Sequence, residues 1–176
     1  MISLSKNILR MLVLLLLAAS PACKHETPIE PGDELFGILE EAVLEVSLRA
    51  PTKRVSAQRR KPSQAFSYIF EAAKGTNRQR CAATPDLARA TAFTFEVRVR
   101  GVVEAEQAKA FSASHKHGWT TLVVRGDMVD EEPFRLDLLR DPKWGEQAYA
   151  RHPLDARLFM VDSKLMHLLD LDCESK

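Results

Sequence analysis

The chain is poor in the features that announce chemistry or a membrane fold. Its 176 residues hold only 7 glycines, widely spaced, too few for a glycine-rich phosphate loop. A charge excess is also missing: 25 Lys+Arg face 24 Asp+Glu, whereas a dedicated nucleic-acid binder carries a strong basic surplus. No apolar run approaches the about 20 residues needed to cross a bilayer, so multi-span membrane proteins are excluded. Internal repeats and low-complexity runs are absent outside the N-terminus. With 45% hydrophobic and 28% charged residues, the composition is that of an ordinary globular protein and not of a collagen-like or disordered chain. The Gly-x-Ser-x-Gly elbow and the His-Glu-x-x-His helix are both lacking, so the reading leans away from an enzyme. No cofactor or metal is implied.

What is present begins at the N-terminus. Lys6 and Arg10 precede an apolar run from Met11 to Ala19, and Ser20-Pro21-Ala22-Cys23 follows. Positive charge, a short hydrophobic stretch and small residues are the three parts of a secretory signal. A cysteine directly after such a leucine-rich run resembles the bacterial lipoprotein signal, in which the thiol receives a lipid and becomes the new N-terminus. The resemblance covers residues 1–23 alone. Ser20 and Pro21 depart from the residues that pattern prefers, Leu and then Ala or Ser, and ordinary cleavage after Ala22 remains the alternative. The resemblance implies a lipid-anchored protein of the cell envelope, on the inner or outer membrane and facing the periplasm; plain cleavage implies a secreted or soluble periplasmic one.

The cysteine count is three, which is awkward in an oxidising compartment unless one thiol is otherwise committed. Lipid on Cys23 leaves Cys81 and Cys173 as an even pair. A bridge between them closes a loop of 92 sequence steps, worth about 4.5 kcal/mol in the chain-entropy model. Two unpaired thiols are the alternative.

With residues 1–22 as signal, residues 23–33 read as an extended tether and 34–176 as a single domain. Leu35, Ile38, Leu39 and Ala42 have helical spacing, and Leu44 to Leu48 alternate as a strand. A basic loop is expected from Pro51 to Pro62. Ser63 reads as the cap of a helix carrying Ala65, Phe66, Ile69, Phe70 and Ala73, stopped at Gly75. Strands are expected over Phe93 to Arg100, Trp119 to Arg125, Phe134 to Leu138 and Arg157 to Val161, with helices over Val103 to Ser114, Asp141 to Ala150 and from Asp162 or Ser163 onward. The fold expectation is α+β: an antiparallel sheet with helices on one face, in the split βαβ, ferredoxin-like order from residue 93. A β-sandwich with peripheral helices is the competitor.

Charge is unevenly spread. Val46 to Pro85 holds nine Lys/Arg and one acid, a net of +8, and Gly126 to Lys176 holds seven Lys/Arg and twelve acids, a net of −5. Two solvated surfaces are the plain reading. The functional reading makes Lys53, Arg54, Arg59, Arg60 and Lys61 a basic surface toward phospholipid headgroups or other envelope phosphates. His115 and His117 could meet one metal in an extended segment, but Gly118 after them fits a helix C-terminus, where histidines favour the dipole. Asp127, Asp130, Glu131 and Glu132 supply oxygen ligands without the glycine and alternation of a calcium loop. Ser112, Ser114, His115 and Asp127 are triad residue types without a triad pattern.

These observations favour a non-enzymatic, lipid-tethered binding or assembly module that presents a surface to a protein partner or envelope component. An immunity or inhibitor protein, whose acidic half covers a basic site on a toxic enzyme, is one alternative. A small periplasmic hydrolase or metal-dependent enzyme using His115 and His117 is the other. A nucleic-acid partner is not expected.

Overall fold

A computed structural model of the chain describes residues 29–72, 77–127, 132–141, 143 and 145–173. Alternation builds it. In β2 (Val43–Arg49), Val46 and Leu48 are fully buried while Glu45 and Arg49 lie on the other side, the period of two that a one-sided sheet demands. The strands β3 (Lys53–Gln58), β4 (Ser67–Ala72), β8 (Thr120–Gly126), β9 (Phe134–Arg140), β10 (Gln147–Arg151) and β11 (Leu158–Asp162) likewise send alternate residues into the core, while β5 (Arg78–Cys81) is an exposed edge strand. With β7 (Gly101–Val103) these form one nine-stranded sheet in the order β5-β4-β3-β2-β8-β9-β10-β11-β7. Every pairing in it is antiparallel, so it is two meanders joined along β2 and β8. A separate two-stranded sheet pairs β1 (Glu34–Gly37) with β6 (Glu96–Arg98).

The inner face of the large sheet is filled by two helical pieces. Leu87 and Ala90 of α1 (Pro85–Ala92), together with Leu165, Met166 and Leu168 of a 3-10 segment (Ser163–Leu169), share one core with Val46, Leu48, Val55, Leu122, Leu138 and Phe159. Tyr68 brings a hydroxyl into this core and satisfies it on Thr91, 3.0 Å away; burial pushes its phenol pKa up. Local signals set both helical ends: Thr84 accepts from the Leu87 amide, and Asp162 accepts from the Lys164 amide.

Beyond Leu169 the C-terminal segment is fastened to three strands. Lys53 on β3 donates to the Leu169 and Leu171 carbonyls at 3.0 and 2.5 Å and to Asp172 at 2.7 Å. Arg140 on β9 holds Asp170 through two hydrogen bonds of 3.1 and 2.8 Å. Cys173 stands at disulfide distance from Cys81 on β5, with Cα atoms 5.8 Å apart.

The α+β expectation with an antiparallel sheet is borne out, and several details differ. Residues 53–58 form β3 where a basic loop was expected, because Val55 and Ala57 alternate into the core beneath the cations. The helix expected after Ser63 is β4: Tyr68 and Phe70 alternate inward, and strands pair on both sides of it. Gly75 lies outside the described residues. Residues 93–95 follow α1 and leave a strand of only three residues, although Phe95, Val97 and Val99 keep their alternating burial. The start of the domain is β1 and a 3-10 turn (Glu40–Ala42) in place of a helix. The helix expected from Asp141 is β10, paired on both edges. The order after residue 93 is therefore two strands, a helix and four strands, in place of the split βαβ order.

The expected helix of residues 103–114 is present as α2 (Ala105–Ser114). It packs on the face opposite α1, where Phe111 meets Tyr149 at 4.4 Å between ring centroids; Tyr149 alternates with the inward Ala148 and Ala150. The described end of the expected tether is docked, since the Gly32 amide donates to Val99 at 2.7 Å and Arg157 reaches the Ile29 carbonyl at 3.4 Å.

Two outcomes follow from the fastened C-terminus. Replacing Cys81 and Cys173 by Ser should lower the unfolding free energy by up to about 4.5 kcal/mol, read from the denaturant midpoint, and reductant should reproduce the shift in the wild type. An unchanged midpoint refutes the cross-link. Asp170 is partly buried, which raises its pKa, but the Arg140 hydrogen bonds and charge outweigh burial and hold it below its ordinary value. Asp155 is also held low, chiefly by its hydrogen bond from Arg157. A depressed folded-state pKa stabilises above the unfolded carboxylate range and is lost as pH falls through the folded value. Stability should therefore fall below about pH 4, and Asp170→Asn should make that fall shallower; an identical slope contradicts the assignment.

Candidate anion-binding face

The outward face of the sheet follows from the same alternation. On β2 it carries Glu45, Ser47 and Arg49. Ser47 stands opposite Ser56 on β3 and Val123 on β8; Arg49 stands opposite Arg54 and Thr121; Glu45 stands opposite Gln58 and Arg125. Register extends the rows outward. Ser56 faces Ile69, which faces Arg80, and Arg54 faces Glu71, which faces Arg78. In the other direction Val123 faces Arg135, and Thr121 faces Asp137, which faces Arg151. These rows hold seven arginines (49, 54, 78, 80, 125, 135 and 151) and three acids (45, 71 and 137), a net of +4.

The acids do not neutralise the face evenly. Glu71 is shared between Arg78 at 3.1 Å and Arg54 at 3.8 Å. Asp137 is taken by Arg151 at 2.8 Å, whose guanidinium also lies 4.6 Å from the Trp119 ring centroid. Among the described residues, Arg49, Arg80, Arg125 and Arg135 have no ion-pair partner. Arg49 and Arg54 oppose each other directly across β2 and β3, an arrangement of like charges that weakens a sheet.

Two buried side-chain atoms among the described residues lack any hydrogen-bond partner: Ser47 Oγ and Arg54 Nε. Both lie on this face, and they are diagonal neighbours. Each such group costs about 1–3 kcal/mol when left unpaired.

Beside these rows, the β3–β4 connection rises to make an open cleft of about 700 Å³ lined by Glu45, Gln58, Arg59, Arg60, Arg80 and Arg125, among others. Of the cations expected to form a basic surface, Arg54 is on the outward face and Arg60 is in the cleft. Arg59 lines the cleft with its stem but is spent locally: it donates to Val43 O at 2.6 Å and to Glu40 O, and lies 4.4 Å from the Phe66 ring. Lys53 points inward to the C-terminal carbonyls. Lys61 is exposed in the connection. Arg49, Arg80, Arg125 and Arg135 were not singled out by sequence, although Arg49 and Arg125 fall at polar positions of alternating strands.

The other candidates are placed as follows. His115 is the C-cap of α2, with Nδ1 3.0 Å from Phe111 O and its ring stacked on Phe111 at 4.2 Å; His117 is exposed. Among the described residues no group of three or more His, Cys, Asp or Glu could hold a metal ion. Ser114 donates to Phe111 O at 2.8 Å, and Asp127 lies beyond the far end of β8, about 26 Å along the strand from Trp119. Asp130 and Glu131 lie outside the described residues, as does Cys23. Several acids of the C-terminal half are engaged: Asp155 with Arg157 at 2.7 Å, Asp162 with Arg100 at 2.6 Å, Asp170 with Arg140 at 2.8 Å and Asp172 with Lys53 at 2.7 Å. No described helix is long and apolar enough to cross a membrane.

No protein-family model, curated protein or solved structure matches this chain.

The opposed arginines give a direct test of the face's electrostatics. Arg49→Thr should raise the unfolding free energy by up to about 1 kcal/mol, by removing a like-charge cross-strand pair. The gain should shrink as salt rises. A destabilised variant at low salt contradicts the repulsion.

Proposed function

We propose that the chain is a non-enzymatic, lipid-tethered module of the bacterial cell envelope that presents its arginine-bearing sheet face to an anionic envelope component or the anionic surface of a partner. One observation carries this reading. Among the described residues, the outward rows of β2–β5 and β8–β10 leave four arginines without ion-pair partners, while Asp137, Asp155, Asp162, Asp170 and Asp172 of the C-terminal half are engaged with the chain's own cations. The charge that this face offers a partner is thus positive, although the whole chain is only +1. The N-terminal signal and Cys23 support the location, and the Cys81–Cys173 pair suits an oxidising compartment.

Such a face gives salt-sensitive association, because counter-charges at an exposed rim are screened. Expressed in a bacterial host, the protein should be recovered from membranes as a chain beginning at Cys23 with the added mass of a lipid, and Cys23→Ser should move it to the soluble fraction. A product that still starts at Met1 and stays soluble rejects the envelope reading.

A further inference from the structure

We propose that the outward face of β2, β3 and β8 carries a binding site for a phosphate group, made by the Ser47 hydroxyl and the guanidiniums of Arg49, Arg54 and Arg125. The proposal specifies the anion of the reading above and rests on the same cationic face, but not on lipidation of Cys23.

Four observations converge on this place. Ser47 is 1% exposed and its hydroxyl has no partner; because Val46 and Leu48 enter the core, it points to the outward face. The second unpartnered atom, Arg54 Nε, belongs to the residue two before Ser56, and Ser56 is the cross-strand neighbour of Ser47. Arg49, two residues after Ser47, faces Arg54 directly. Arg125 lies two residues beyond Val123, the neighbour of Ser47 on β8. Adjacent strands are about 4.8 Å apart and same-face residues on one strand about 6.7 Å, so the three arginines start about 7–8 Å from Ser47 along the sheet, within the reach of an arginine side chain.

Ser47 and Ser56 are directly opposite, and both are buried beneath their longer neighbours on the face. Every group around them that lacks a partner can donate: one hydroxyl, which can also accept, and one guanidinium nitrogen, with the exposed guanidiniums of Arg49 and Arg125 beside them. An anion would give both buried groups an acceptor. Arg49 and Arg125 have no carboxylate partner, which leaves two unit charges to balance, and Arg54 has only a share of Glu71. A carboxylate brings one charge and two oxygens. A phosphate monoester or inorganic phosphate brings up to two charges and three peripheral oxygens, and arginine meets these in bidentate fashion. The exposed arginines must swing aside for the anion to reach the Ser47 hydroxyl, which their long side chains allow.

The test uses the full chain in detergent, titrated with inorganic phosphate at constant ionic strength and followed calorimetrically. Saturable one-to-one binding is expected, weakened at least tenfold by Ser47→Ala and by Arg125→Gln, and unaffected by Arg98→Gln, which alters an exposed ion pair on β6. Ser47→Ala removes only an unpaired hydroxyl, so the protein should remain folded, with an unchanged or raised thermal midpoint. A response that chloride reproduces at equal ionic strength, or a Ser47→Ala variant together with an Arg125→Gln variant that bind as wild type does, overturns the proposal. A second arm uses vesicles of phosphatidylcholine with and without phosphatidic acid, whose headgroup is a phosphomonoester. Binding to the phosphatidic acid vesicles that inorganic phosphate competes away assigns the site to a lipid headgroup; phosphate binding without vesicle binding assigns it to the soluble ion. If phosphate fails to bind a chain that is nonetheless lipidated at Cys23, the site falls and the envelope reading stands. Phosphate binding by a chain that begins at Met1 has the opposite meaning.

Discussion

A sheet can bury only one of its two faces against a single core, and that constraint governs the rest of this molecule. The inner face is taken by α1, the 3-10 segment and the residues after it, so Val46, Leu48, Val55, Tyr68, Leu122 and Leu138 must point there. Every intervening residue is then committed to the opposite side. On β9 to β11 that side is partly reused as a second apolar surface under α2, with Leu139 and Leu158 buried away from the main core. On β2 to β5 and β8 the outward positions are polar, and the register of five strands decides which charges become neighbours.

Register also explains why the chain's near-neutral total conceals a polar asymmetry. Acids and bases are present in almost equal number, but several acids of the C-terminal half sit beside arginines or lysines on adjacent elements: Asp137 beside Arg151, Asp170 beside Arg140, Asp172 beside Lys53. Several of these pairs do a structural task, tying the C-terminal segment across the mouth of the sheet. The cations of the outward face have no matching supply. Glu71 serves two arginines at once, and the opposed Arg49 and Arg54 repel across one ladder position. Exposed pairs contribute little to stability in any case, so the imbalance is tolerable to the fold while shaping the field around it.

Much of the fold was legible in the chain, for reasons that particular residues make plain. Alternation identified β9, and β-branched content ended by Gly126-Asp127 identified β8; the Ala, Glu, Gln and Lys content of residues 105–114 identified α2; Asp162 announced the start of the 3-10 segment. Failures came where two periods coexist. Phe66, Ile69 and Phe70 match a helical stripe as well as Tyr68 and Phe70 match a strand, and only β3 and β5 pairing on either side of β4 decides between them. In β3 the cations masked the alternation of Val55 and Ala57. The candidate site was less legible, because Arg49, Arg80 and Arg125 are far apart in sequence and become neighbours or near neighbours only through strand pairing.

That same pairing explains why the cationic rows carry information beyond their charge. Arginine on a sheet surface is ordinary, and a run of exposed guanidiniums alone implies only solubility. A buried hydroxyl without a partner is not ordinary, because Ser47 could accept and donate with water if it were exposed, or be replaced by Ala or Val if it were merely filling the ladder. The adjacent Arg54 nitrogen is in the same position. Two unmet donors on neighbouring strands, flanked by cations that repel each other, are destabilising in every pairwise sense. All of these unfavourable interactions are relieved by one tetrahedral oxyanion at the same place, which replaces the missing acceptors and separates the opposed charges together.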